Sequence, residues 1–283
     1  MVLLCVAPVC GLGALLAAGC GDEPAGRQIV TSFYPLEFAA SQVAPDGVDV
    51  TNLTPPGAEP HDLELDARDV ASLRDASLVV YVGGGFQPAV EDALEERDGP
   101  SHDILGDLRI RLGSRAGPND PHVWLDPIRF GDVARGIAAE LGDPDAADAL
   151  VDQLEALDAE FRRGLARCER RELVTSHAAF GYLAASYGLE QVPLVGLEPE
   201  AEPRPRDVER LVDRVRVTGA TTVYFETLAS PELAETVARE AGVETAVLDP
   251  LEGLSADELA SGTDYFDVMR ENLAALRAGL GCT

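Results

Sequence analysis

The chain is poor in histidine, cysteine and basic residues. Its 283 residues include four histidines, five cysteines and 22 basic residues against 50 acidic ones, for a net charge of −28. Such a charge repels nucleic acid, which excludes nucleic-acid binding, and it raises the local concentration of cations. A hydrophobic content of 46% over this length is enough to bury two modest cores. We therefore expect a folded protein with two lobes of about 100 to 150 residues each.

Several short catalytic motifs are missing. There is no HExxH or HxxEH pair of the kind that metal hydrolases carry. The glycine run 83–85 follows an apolar strand but lacks the GxGxxG and GxxxxGK patterns of phosphate-binding loops, so it is interpreted as a tight turn. These absences make a hydrolase the less favoured hypothesis, because hydrolysis also needs an open metal position and a nearby general base.

The first twenty residues carry no charge and end in Ala18-Gly19-Cys20. Small residues directly before a cysteine are typical of a lipoprotein signal, in which the apolar stretch is cleaved and the cysteine is lipidated. A transmembrane anchor is the alternative, although glycines and a proline in the stretch weaken a spanning helix. We expect a signal peptide over 1–20, lipidation of Cys20, and a tether over 21–27. The protein is then anchored outside the bacterial cytoplasmic membrane, or is periplasmic.

Two cysteines, Cys168 and Cys282, remain in the mature chain once the signal is cleaved and Cys20 is lipidated. In an exported protein, two cysteines form a disulfide more often than they stay as free thiols. A bond between them is expected to fix the C-terminal helix to the second half of the chain.

From residue 28 onward, short apolar strands alternate with amphipathic helices, which predicts parallel sheets in an α/β arrangement. Over 145–170, apolar residues instead recur at helical spacing for about seven turns. The pattern predicts an α/β lobe over 28–143, a long rigid linking helix over 144–170 and a second α/β lobe over 171–283. Ligands of such sheets bind beyond the carboxyl ends of the strands, where His177 and Asp249 stand.

Three of the four histidines lie in short segments flanked by proline or apolar residues: Pro60-His61, DPHVWLDP with His122, and SHAAF with His177. Neutral imidazole is the commonest protein ligand for zinc, so we expect the three to converge. The fourth, His102, belongs to no motif and is expected at the surface.

The order of these segments resembles the motif order of the zinc-uptake substrate-binding lipoproteins of ABC transporters. Four shorter segments fit the same order: YPL from residue 34, EPH from 59, FE from 225 and LDPL from 248. The resemblance covers essentially the whole mature chain, and the DPHVWLDP and SHAAFGYLA segments are the specific ones. It implies two lobes bridged by one rigid helix, with a metal held in the cleft between them.

The resemblance also implies a ligand set of His61 and His122 from the first lobe with His177 and Asp249 from the second. Three imidazoles and one carboxylate fill the four-coordinate shell that zinc favours. At the position of His177, manganese relatives carry a carboxylate, so the imidazole favours zinc over manganese.

Three carboxylates compete for the fourth position. Asp249 precedes a proline, and an aspartate there also commonly caps a turn. Glu59 and Glu226 are the alternatives, either as the fourth ligand or as partners that orient a histidine.

The implied function is capture of Zn²⁺ as the bound substrate and its delivery to a membrane permease by a monomeric lipoprotein. A manganese-binding homologue and a zinc-binding adhesin or buffer lipoprotein remain alternatives.

Overall fold

The computed structural model describes residues 28–108, 120–201 and 203–283. The expected signal peptide and tether, together with Cys20, lie outside these ranges. Within them, no helix combines the length and the apolar character that crossing a bilayer requires.

The first half of the chain forms a four-stranded parallel sheet in the order β2-β1-β3-β4. Apolar strand residues are buried on both faces, as is usual for parallel sheets covered by helices. The strands are β1 (Gln28–Thr31), β2 (Asp49–Asn52), β3 (Leu78–Tyr81) and β4 (Ser101–Asp103), and the helices are α1 (Tyr34–Val43), α2 (Ala67–Asp75), α3 (Pro88–Glu95) and α4 (Ile104–Leu108).

The second half repeats this design, with a parallel sheet in the order β6-β5-β7-β8. The expected α/β class with two parallel sheets is therefore confirmed. The strands are β5 (Glu172–Thr175), β6 (Glu190–Pro193), β7 (Thr222–Phe225) and β8 (Glu244–Val247), and the helices are α7 (Gly181–Tyr187), α8 (Pro205–Thr218), α9 (Glu232–Ala241), α10 (Ala256–Ser261) and α11 (Tyr265–Leu280).

Between the sheets lie α5 (Pro127–Glu140), a 3-10 turn (Pro144–Ala147) and α6 (Asp148–Gly164). At 17 residues α6 is about 26 Å long, shorter than the helix expected over 144–170. Just beyond its end, the Arg171 guanidinium donates to the carbonyl oxygens of Leu165 and Ala166. The next residues lead to Cys168, which forms the expected disulfide with Cys282.

The largest cluster of buried side chains spans both halves of the chain. It includes Phe33 and Phe130 from the first half, Leu157 of α6, and Leu183 and Leu276 from the second. Two smaller clusters cover one face of each sheet. The two lobes therefore share part of their core, because α5, α6 and α11 contribute buried residues to the cluster that joins them.

His102 is also placed differently from expectation. It lies in β4 and is only 8% exposed. Its ring packs so closely against Gly136 of α5 that a Cβ there would lie 2.9 Å from Nε2. The surface prediction is wrong because β4 is covered by α5.

Candidate metal centre

Four side chains distant in sequence meet at one point. A ring nitrogen from each of His61, His122 and His177 and a carboxylate oxygen of Glu252 all lie within 4.8 Å of one another. The three Nε2 atoms face the same Glu252 Oε1, at 3.4, 3.0 and 3.6 Å respectively. Within 28–108, 120–201 and 203–283, this is the only such group of three or more potential metal ligands.

The position of the cluster follows from the topology. His61 lies in the loop after β2, His177 comes two residues after β5, and Glu252 lies in the loop after β8. His122 directly precedes a 3-10 turn (Val123–Leu125) that leads into α5. Strand carboxyl ends of both sheets therefore contribute to the cluster, which is the usual ligand position in α/β folds.

Asp120 fixes the ring of His122. Its Oδ1 accepts hydrogen bonds from the backbone N–H of His122 at 3.0 Å and faces the ring Nδ1 at 2.8 Å. A carboxylate on Nδ1 selects the tautomer in which Nε2 carries the lone pair. The lone pair then points toward the other cluster members.

Glu226 does the same for His177. Its Oε1 lies 2.9 Å from His177 Nδ1 and also accepts a hydrogen bond from Ser176 Oγ at 2.8 Å. Both His177 and Glu226 are almost fully buried. Of the roles that the sequence left open for Glu226, the geometry corresponds to the orienting one.

Sequence reasoning did not single out Glu252. Its carboxylate reaches the cluster because Leu251 adopts φ 56°, in the left-handed region that branched side chains rarely enter. Asp249, the predicted fourth ligand, lies outside the cluster. Its Oδ1 accepts from the backbone N–H of Leu251 at 2.7 Å and its Oδ2 from Thr227 Oγ1 at 2.8 Å. The carboxylate thus caps the turn, the alternative that the Asp-Pro pair had suggested.

The loop that carries Glu252 is fixed from both halves of the chain. The Asn272 side chain bonds both the N–H and the carbonyl oxygen of Asp249, at 2.8 and 2.7 Å. From the first half, Trp124 Nε1 donates to Pro250 O at 2.8 Å, and the Gly57 N–H donates to Leu254 O at 2.9 Å. The position of Glu252 therefore depends on contacts across the cleft.

Glu59 lies near the cluster without joining it. Neither of its buried carboxylate oxygens has a hydrogen-bond partner among the described residues. Burial raises the pKa of Glu59 to about 7, although the neighbouring His61 partly offsets this. The Glu59 carboxyl group, which lies beside the site, therefore gains or loses its proton near neutral pH.

The cluster groups shift one another's protonation. Burial lowers the pKa of His177, but its hydrogen bond to Glu226 and the nearby Glu252 carboxylate outweigh this and raise the pKa to about 10. The pKa of His122 is also raised, since Asp120 and Glu252 outweigh its burial. Burial raises the pKa of Glu252, yet its histidine partners hold it well below the usual range. Protons and a metal therefore compete for these donors.

The residues fit a divalent metal of intermediate softness. His177 Nε2 and Glu252 Oε2 are buried polar atoms with no hydrogen-bond partner among the described residues. Aromatic rings wall the cluster, with Phe86 4.5 Å from the His61 ring and Trp124 5.1 Å from the His122 ring. Three imidazoles and one carboxylate match the donor set that zinc favours, and the apolar wall strengthens the electrostatic attraction.

Comparison with known families supports this chemistry. A family model described as "Zinc-uptake complex component A periplasmic" matches residues 29–279. The high-affinity zinc uptake system protein ZnuA of Bacillus subtilis is 33% identical over 99% of this chain and 96% of that protein. The zinc-binding lipoprotein AdcA of Streptococcus pneumoniae is 34% identical over 98% of this chain. The chain spans 60% of the length of AdcA.

Solved structures share the fold. The Zn(II)-bound ZnuA-like domain of Streptococcus pneumoniae AdcA has a TM-score of 0.75 and 37% identity, covering 90% of this chain and 99% of that one. The laminin-binding protein Lmb of Streptococcus agalactiae, described as a bifunctional adhesin with metal-transporting activity, has a TM-score of 0.80 and 30% identity. That match covers 90% of this chain and all of Lmb.

Proposed function

The chain belongs to the family of zinc-uptake complex component A, periplasmic, and we propose that it captures Zn²⁺ outside the cytoplasm with high affinity and delivers it to the permease of an ABC importer. The observation that carries the proposal is the meeting of three Nε2 atoms around Glu252 Oε1. Exposed histidines and acidic side chains are common in proteins that bind no metal. Burying four such side chains from separate loops costs free energy, which a bound metal would offset.

We assign the four ligands as His61, His122, His177 and Glu252. Glu252 replaces Asp249 in the predicted set, because the Asp249 carboxylate already accepts two hydrogen bonds within its turn. Three neutral imidazoles, one carboxylate and Zn²⁺ sum to a charge of about +1. Asp120 and Glu226, which face the outer nitrogens of two ligands, supply the compensating negative charge.

Both halves of the chain supply ligands, so occupancy is coupled to how the halves sit together. We propose the boundaries 28–143, 144–170 and 171–283 for the two lobes and the connection between them. The zinc-bound form then differs from the zinc-free form in the relation between the lobes, and this difference is what the permease recognises. A ligand that contacts both lobes favours the closed arrangement in proportion to its differential affinity.

Binding rather than catalysis fits the donor count. Four protein donors complete a tetrahedral shell, whereas catalytic zinc sites keep one position for water. The three histidines are also nearly inaccessible, which hinders a bulky substrate. We therefore propose a monomeric, non-enzymatic carrier, attached to the membrane through lipid on Cys20. The relative named a zinc-binding lipoprotein supports the anchor.

A calorimetric titration of the mature protein tests the proposal. We expect one Zn²⁺ per chain in the wild type, tight enough to require a competing chelator, and loss of tight binding in His122→Ala. His102→Gln is the matched control, since His102 is the one histidine outside the cluster. Wild-type protein that takes up no zinc, or a His122→Ala variant that binds as well as His102→Gln does, would contradict the proposal.

A further inference from the structure

Each histidine of the cluster has a carboxylate on its outer nitrogen. Asp120 faces Nδ1 of His122 at 2.8 Å, and Glu226 faces Nδ1 of His177 at 2.9 Å. For His61, the carboxylate is that of Glu198, whose Oε2 lies 3.8 Å from Nδ1. The first two contacts are hydrogen bonds, whereas the third, at 3.8 Å, is a longer polar contact on the same ring nitrogen.

The Glu198 contact differs from the other two in origin and exposure. Asp120 and Glu226 each come from the same half as their histidine and are 3% exposed, whereas the Glu198 side chain is 68% exposed. Glu198 lies between β6 and α8 in the second half, and His61 lies after β2 in the first. The contact therefore crosses the cleft at the solvent side of the cluster.

The loop that carries Glu198 is anchored beside the site. The Gly196 carbonyl oxygen accepts a hydrogen bond from the Ala178 N–H at 2.8 Å, one residue after His177. The Ala201 N–H donates back to Glu198 O at 3.4 Å, and Pro199 and Pro203 restrict the backbone further. The loop thus presents Glu198 to His61 from a position fixed relative to His177.

We propose that Glu198 is a positioning residue that latches the second half onto His61. Its carboxylate lies 3.8 Å from His61 Nδ1 and needs a shift of only about 1 Å to accept the Nδ1–H, a hydrogen bond that would keep the Nε2 lone pair directed at the bound ion. Because the two residues belong to different halves, the latch forms only when the halves are together, and it slows zinc release. This inference rests on the proposed zinc binding and adds to it a residue that controls retention of the ion.

Dissociation of zinc into excess chelator, followed by stopped flow, tests the latch. We expect Glu198→Ala to raise the dissociation rate about tenfold, at the lower end of the effect of removing a ligand's partner, because Glu198 is exposed. Glu200→Ala is the matched control, as Glu200 is exposed, equally charged and two residues further along the loop. It should release zinc at the wild-type rate.

Two more variants separate the latch from general electrostatic attraction. Glu198→Gln keeps an acceptor oxygen and should raise the zinc dissociation rate less than Glu198→Ala does. An equal rise in the two variants would mean that only the charge of Glu198 acts, and would overturn the latch. In a His61→Ala background, Glu198→Ala should have no further effect, since the partner is gone. A persistent effect there, or equal rates for Glu198→Ala and Glu200→Ala, also overturns it.

The same experiment distinguishes the latch from the proposed function. Wild-type protein that binds no zinc would remove both. If the wild type binds zinc tightly but the Glu198 variants release it at the same rate as Glu200→Ala, only the latch proposal is rejected and the proposed zinc capture stands.

Discussion

Trp124, in the first half of the chain, donates its indole N–H to the carbonyl oxygen of Pro250, 126 residues later, at 2.8 Å. Pro250 stands two residues before Glu252, and Trp124 stands two residues after His122. One buried hydrogen bond thus ties a proposed ligand of the first half to the loop that holds a proposed ligand of the second.

Trp124→Phe removes that bond and leaves the Pro250 carbonyl oxygen without its donor. We expect a loss of about 1–3 kcal/mol in the free energy of unfolding, the usual cost of an orphaned buried polar group. We also expect zinc affinity to fall about tenfold, because the Glu252 loop is less firmly placed. Chemical denaturation and chelator competition measure the two effects.

Tyr265→Phe is the matched control for Trp124→Phe. The Tyr265 hydroxyl donates to the Trp124 carbonyl oxygen at 2.7 Å, so this variant also loses a buried hydrogen bond but spares the one to Pro250. Its stability should fall and its zinc affinity should not. Equal losses of affinity in both variants would mean that the loop is not held by the indole.

The two candidate fourth ligands are separated by conservative substitutions. Glu252→Gln should weaken zinc binding more than about 100-fold, beyond the 10- to 100-fold range of residues that only support a ligand. Asp249→Asn keeps the oxygen that accepts from the Leu251 N–H, so its zinc affinity should fall less than about tenfold. Competition against a series of chelators measures both. A larger loss in Asp249→Asn than in Glu252→Gln would return Asp249 to the ligand set.

The missed residue shows where sequence reasoning stops. Motifs located His61, His122 and His177, because each lies in a distinctive segment, and the structure brings all three together. Glu252 stands only three residues after Asp249, so the correct loop was identified. Its direction, however, depends on the left-handed Leu251, and no local preference predicts that conformation for leucine.

Local sequence signals explain where helices and strands begin and end, but they do not predict which residues are buried. The closing helix α11 starts at Tyr265, directly after Asp264, whose side chain caps the N–H groups of Phe266 and Asp267 as an aspartate at that position commonly does. β7 spans Thr222–Phe225, a run of β-branched and aromatic residues that favours a strand. By contrast, the burial of His102 and the core shared by both halves arise from tertiary packing, which strand and helix periodicity does not encode.

The pH dependence of stability should differ between the zinc-free and zinc-loaded protein. The pKa of His177 is raised from 6.5 to about 10 in the absence of metal. A raised histidine pKa adds stability that is complete below pH 6.5 and is lost as the pH rises toward 10. Zinc needs the neutral imidazole, so its affinity rises over the same range. The gap in Tm between the two forms should therefore widen from pH 6.5 to 10.

Calorimetric melting with zinc or with EDTA at several pH values measures this gap. Glu226→Gln is the control, because it removes the charge that raises the pKa of His177 and should shift the widening to lower pH. A gap that stays constant with pH in the wild type would contradict the proposed competition between protons and zinc.

The disulfide should support the fold and not the metal site. Replacing both Cys168 and Cys282 by serine frees a segment with a sequence separation of 114 residues. The free energy of unfolding should fall by about 2–5 kcal/mol, as for other native disulfides. Zinc affinity should stay at the wild-type value, since neither cysteine is among the cluster residues. A parallel loss of affinity would show that the C-terminal helix must be pinned to hold the Asn272 contact with the Glu252 loop.

The most direct test of zinc capture is a crystal structure of the protein loaded with one equivalent of Zn²⁺, with the ion located by anomalous scattering at the zinc edge. We predict one zinc bound by Nε2 of His61, His122 and His177 and by the carboxylate of Glu252, at about 2.0–2.2 Å from each donor atom. A zinc ion bound elsewhere on the chain, or held by fewer than three of these histidines, would contradict the account.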